Sequence, residues 1–107
     1  MKVFKFGGAS VKDAAGVINT TSIICKEPGL LIVVVSAMGK TTDALVEVTK
    51  NYFSGKIDEA TQGIISSRDY HLKIAKELFA DGNEKLEKSL YEEFDALLKR
   101  VNIPPSL

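Results

Sequence analysis

Leu30 to Val35 are six consecutive aliphatic residues, entered through Pro28-Gly29 and left through Ser36-Ala37-Met38-Gly39-Lys40. A run this short, rich in β-branched residues and bounded by turn signals, reads as a strand buried on both faces. Such a strand needs partners along its edges and cover over its faces, so the rest of the chain must build a sheet around it. A second β-prone run, Val3 to Phe6, stops at Gly7-Gly8. Between the two, Lys12 to Lys26 has helical spacing, with apolar positions at Ala14, Val17, Ile18, Ile24 and Cys25. Strand, glycine turn, helix and parallel strand make a βαβ start, so the expected class is α/β.

A second helix is expected from about Thr42 to Phe53, with Asp43 in its first turn, Gly55 past its end, and Leu45, Val48, Thr49 and Tyr52 on its buried face. The period then stays helical. Ile64, His71, Ile74, Ala75, Leu78 and Phe79 share one face, and Leu86, Leu90, Phe94, Leu97, Leu98 and Val101 share another, with Asp81-Gly82-Asn83 between them. The organisation is therefore a βαβα unit over 1–55, a helical hairpin over 56–101, and a tail over 102–107, in which Pro104-Pro105 ends regular structure. Asp69/Lys73, Glu84/Lys88 and Asp95/Lys99 have the acidic-first i,i+4 order expected of solvated helix faces.

Two strands do not make a self-sufficient sheet, since about three are usually needed. The chain is accordingly expected to be part of a longer protein. At 107 residues it is domain-sized, and 45% hydrophobic with 26% charged residues is globular rather than disordered composition. Fourteen basic against fourteen acidic residues leave no net charge, so a nucleic acid or a membrane surface is not an expected partner. The amino terminus, Met-Lys-Val-Phe-Lys, has no apolar signal stretch, and no segment approaches the roughly 20 apolar residues of a membrane span. A cytoplasmic location follows as an expectation, and the Asn19-Thr20-Thr21 sequon is then inert.

Chemistry has two candidate places. Lys5-Phe6-Gly7-Gly8-Ala9-Ser10 ends the first strand and leads toward a helix: glycines admit close backbone approach, free N–H groups favour an anion, and Lys5 adds a charge. The alternative is a plain β-to-α turn with a solvated lysine. Ser36 to Asp43 ends the second strand, and ligands of open α/β sheets collect beyond such strand ends. There the alternative is capping, with Thr41 or Thr42 starting the helix and Ser36 closing the turn. Gly39-Lys40-Thr41 imitates the end of a P-loop, but the required first glycine falls at Val34, inside the strand. Ala9 and Lys12 likewise break the dinucleotide G-x-G-x-x-G pattern. His71, the one histidine, reads as a packed helix-face residue, and Cys25, the one cysteine, as a small core residue.

Lys5-Phe6-Gly7-Gly8-Ala9-Ser10-Val11 together with Val33-Val34-Val35-Ser36-Ala37-Met38-Gly39-Lys40-Thr41-Thr42-Asp43 resembles the amino-terminal end of aspartate kinases, members of the amino-acid kinase superfamily. The hairpin looks like the insertion of the lysine-sensitive type and of the forms fused to homoserine dehydrogenase. The resemblance implies an αβα sandwich and a homo-oligomeric enzyme that transfers the γ-phosphoryl group of Mg-ATP to L-aspartate. By it, Lys5 is catalytic and contacts the transferring phosphate, while Gly7, Gly8 and Ser10 hold the ATP phosphates. Ser36 and Thr42 match positions near aspartate, and Mg2+ comes with ATP, no protein ligand for it being identifiable. Ala9 stands where the family carries threonine, and the parts that complete the aspartate and adenine sites are expected beyond Leu107. Two alternatives remain: another kinase of the superfamily, or a non-catalytic fragment that binds phosphate weakly or self-associates.

Overall fold

The computed structural model describes residues 1–105, so the end of the expected 102–107 tail, Ser106 and Leu107, lies outside the described residues. The fold is mixed α/β, with two parallel strands and four α-helices. In chain order these are β1 (Lys2–Phe6), α1 (Ala14–Cys25), β2 (Leu31–Val35), α2 (Thr41–Phe53), α3 (Ile57–Leu78) and α4 (Glu84–Arg100). A 3-10 turn over Gly8–Val11 precedes α1. The chain divides into two compact units, Met1–Thr41 and a second that starts at Thr42, so nearly all of α2 belongs with α3 and α4. No helix among the described residues is long and apolar enough to cross a membrane.

In the first unit β1 and β2 pair in parallel, Lys2 opposite Leu31 through Phe6 opposite Val35. Alternation puts Phe4, Phe6, Leu31 and Val33 on one face, where these four are at least half-buried beside exposed Lys2 and Val35, and the Phe4 and Phe6 rings meet edge-on at 6.3 Å. The other face carries Val3, Lys5, Ile32 and Val34, all exposed. The expectation of a strand buried on both faces is thus overturned, because a two-stranded sheet here has only one shielded side. Lys2 closes the strand entrance, its ammonium 2.8 Å from the Glu27 carboxylate.

Helix α1 starts two residues later than the spacing of Lys12 to Lys26 suggests. Asp13 is its N-cap, accepting from the Gly16 amide at 2.8 Å. Ala14 and Thr20 are buried. Cys25 is exposed rather than in the core, since the last turn of α1 leaves it facing outward.

The second unit has its core where α2, α3 and α4 meet, in Val48, Tyr52, Ala60, Ile64, Phe94 and Val101. Helices α3 and α4 pack on each other across a five-residue link, residues 79–83, in which Gly82 takes φ +85° and Asn83 caps α4 by accepting from the Leu86 amide at 3.0 Å. Of the predicted α2 face, Val48 and Tyr52 are buried and Leu45 half-buried, but Thr49 is exposed and bonds back to the Leu45 carbonyl at 3.0 Å. Half-buried His71 donates within its own helix, its Nδ1 lying 2.7 Å from the Ser67 carbonyl oxygen, with its ring 5.5 Å from that of Phe94. The helix ion pairs are not the acidic-first ones: Lys73–Glu77 and Lys88–Glu92 approach to 3.9 Å, and Asp69 pairs with Arg68 at 3.2 Å.

Candidate functional site

Because the strands run parallel in register, Phe6 and Val35 end side by side and both glycine-bearing turns leave from the same end of the sheet. The Ser36 amide continues the ladder by donating to the Phe6 carbonyl at 2.9 Å. One step further the turns join directly, the Gly39 amide donating to the Gly8 carbonyl at 3.0 Å. A Cβ on Gly8 would collide with the Gly39 carbonyl oxygen and sit 3.1 Å from that of Ala37, so Gly8 is required by this approach. Gly39 completes the fit with φ +57°, a conformation costly for other residues.

The Gly7 to Ser10 turn is braced from the helix side. The Ser10 amide donates to the Gly7 carbonyl at 3.0 Å, and the Ser10 carbonyl accepts from the buried Thr20 hydroxyl at 3.3 Å. Gly16 lets α1 come this close, for a Cβ there would lie 2.6 Å from the Ser10 oxygen. The first amides of such a turn have no partner within it and are available to an acceptor. At Gly7 a Cβ would meet nothing within 4 Å, and its backbone is extended (φ −76°, ψ 175°). Neither conformation nor packing in this chain demands glycine at Gly7.

Lys5 is exposed one residue before the strand end, and no carboxylate among the described residues pairs with it. Ser36 is exposed, its hydroxyl donating to the neighbouring Ala37 carbonyl at 3.2 Å. Thr41, not Thr42, ties the start of α2 to the preceding turn, its hydroxyl donating to the Met38 carbonyl at 2.6 Å. Thr42 is exposed and opens the second unit. The structure therefore gathers Lys5, Gly7, Gly8, Ser10 and Ser36 at one end of the first unit. Two positioning residues escaped the sequence reading, Asp13 and Gly16, while Gly39 stood in the second candidate turn without a role of its own. Only Asp13 carried a usable signal, a capping residue ahead of an apolar period. Among the described residues no group of three His, Cys, Asp or Glu side chains is placed to hold a metal ion.

Comparison with known proteins brings one name to this arrangement. An aspartokinase from Bacillus sp. (strain MGA3) is 45% identical over 51 residues. The shared stretch covers 45% of this chain and 12% of the Bacillus protein. The chain thus matches only a small part of that relative's length, and the likeness marks an aspartokinase-related segment. No protein-family model matches the chain, and no solved structure matches it.

Proposed function

We propose that this chain is the amino-terminal segment of a cytoplasmic aspartate kinase and supplies part of the phosphate side of its active centre. The observation that carries the reading is the contact between the two glycine turns at the strand ends, Gly39 N–H to Gly8 carbonyl, in a chain with partial likeness to an aspartokinase. The 3-10 turn over Gly8–Val11, the open space beside Gly7 and a lysine that no carboxylate among the described residues pairs with suit a phosphate. The remainder of an αβα sandwich would come from the rest of the protein, and would pack on the exposed Val3, Ile32 and Val34.

In this reading the β-carboxylate of L-aspartate attacks the γ-phosphorus of Mg-ATP. A carboxylate O–P bond forms, the bond to ADP breaks, and ADP leaves with the electron pair, giving 4-phospho-L-aspartate for lysine, threonine and methionine biosynthesis. The nucleophile is already ionised at neutral pH, its reference pKa being about 3.9, so no general base is required. Catalysis then consists of positioning and charge stabilisation. The Lys5 ammonium offsets charge on the transferring group, the backbone at Gly7 and Gly8 with Ser10 holds the phosphates, and Ser36 and Thr42 orient aspartate. Mg2+, bound through the nucleotide, neutralises the phosphate oxygens.

A coupled ADP-release assay on the complete protein that carries this segment tests the reading. Aspartate-dependent ADP formation is expected, with Lys5→Ala lowering kcat far more than it raises KM for aspartate. ADP formation that ignores aspartate, or an unchanged kcat in Lys5→Ala, overturns it. The 107-residue chain alone is expected to be inactive, because much of an enzyme's rate comes from positioning both reactants.

A further inference from the structure

The second unit holds a cleft for which the phosphotransfer reading has no use. It lies among α2, α3 and α4, encloses about 370 Å³ and is walled by Val48, Phe53, Ile64, Leu97 and Val101. Phe53 and Leu97 are 66% and 40% exposed, so the apolar wall runs out to the surface instead of closing over.

One side of this cleft carries a fixed cation. Arg100 lines it and donates through Nη1 to the Tyr52 hydroxyl at 2.8 Å and to the Ile103 carbonyl at 3.2 Å. The Tyr52 hydroxyl donates in turn to the same Ile103 carbonyl. These bonds use both Nη1 protons and hold the guanidinium 5.7 Å from the Tyr52 ring centroid. The Nε and Nη2 protons remain, and together they form the edge that grips a carboxylate through two parallel hydrogen bonds. No carboxylate of the chain takes that edge among the described residues: the ion pairs are Lys2–Glu27, Arg68–Asp69, Lys73–Glu77 and Lys88–Glu92.

We infer that this cleft binds a compact apolar carboxylate, its acid group on the open edge of Arg100 and its aromatic or branched body against Phe53, Leu97 and Val101. Two features select that class. An apolar cavity with a single cationic group at its margin matches an amphipathic anion, and a volume near the lower end of ligand pockets, about 300 to 1,000 Å³, suits one ring rather than a long acyl chain. The inference stands apart from the kinase reading, since none of these residues is placed in phosphoryl transfer.

Titration of the complete protein that carries this segment, isotope-labelled, with 4-phenylbutyrate, followed by amide chemical shifts, tests it. Saturable shifts are expected in α2 and from Leu97 to Ile103. The neutral analogue 4-phenylbutyramide should bind about tenfold more weakly, through loss of a charge-assisted pair. Arg100→Gln should weaken the acid by a similar factor and leave the amide unchanged. Because Arg100 also holds Tyr52, Leu97→Glu provides a variant outside that hydrogen-bonded group. It sets a like charge beside the acid and should abolish acid binding with the helical circular dichroism intact. Equal affinity for acid and amide, or absence of saturation, overturns the inference. Concentration-dependent shifts at the same residues without the probe would make a second copy the occupant, and overturn it too.

Discussion

At Gly8 a Cβ would run into the Gly39 carbonyl oxygen, whereas at Gly7 it would meet nothing within 4 Å. Gly8→Ala should therefore destabilise the first unit by roughly 1 to 3 kcal/mol, the usual penalty of overpacking. Gly7→Ala should change stability by no more than about 0.5 kcal/mol, as surface substitutions do. Denaturant titration of the two variants checks the difference. In the complete protein the order should reverse for function at constant fold: Gly7→Ala raises KM for ATP, because the new methyl occupies the approach a phosphate needs. In the proposed reading Thr42 serves the other substrate. Thr42→Ala should weaken aspartate by roughly 1 to 3 kcal/mol through loss of a hydrogen bond, with KM for ATP unchanged. Steady-state kinetics varying each substrate separates the two effects.

Among the elements, α3 carries the residue on which the second unit most depends. Ile64 is 1% exposed, and it packs in one cluster with Val48 and Tyr52 of α2 and Phe94 of α4. Ile64→Ala should cost about 2 to 5 kcal/mol, the range for a buried aliphatic truncated to alanine. Ile32→Ala in β2, where the side chain is 46% exposed, should cost less than about 1 kcal/mol, since less apolar area leaves water there. Thermal unfolding followed by circular dichroism compares them, and equal losses would contradict the burial pattern. The α4 boundary is set by chemistry rather than by packing alone: Asn83 accepts from the Leu86 amide, and Gly82 supplies the positive φ just before it.

For the molecule as a whole, the strands are the weak place. The sheet order is β1–β2, so among the described residues each strand keeps one edge without a partner. Exposed strand edges invite pairing with another chain, and Val3, Ile32 and Val34 add an apolar face beside them. The isolated chain is expected to self-associate through β1 or β2, or to be poorly soluble. Sedimentation equilibrium at micromolar concentration decides, and one species at the monomer mass of 11.6 kDa would refute it. Hydrogen exchange should agree with the same asymmetry, slow in α3 and fast in the strands, because protection follows buried apolar contacts.

Local pattern alone determined the parallel strands, the helices and the turn at Asp81-Gly82-Asn83, since periodicity, capping residues and glycine act over a few neighbours. It also located both glycine turns at strand ends. Burial was a different matter. The aliphatic run at Leu30 to Val35 predicts cover on both faces, but cover is supplied by other elements, and here only the Leu31 and Val33 side receives it. Cys25 is outward and Thr49 exposed for the same reason: a helical spacing names a face without saying what lies against it. The lock between Gly8 and Gly39 and the bonds that tie Tyr52 to Arg100 and Ile103 join residues far apart in the chain. Those contacts depend on how elements meet in space, so the tertiary structure alone decided them.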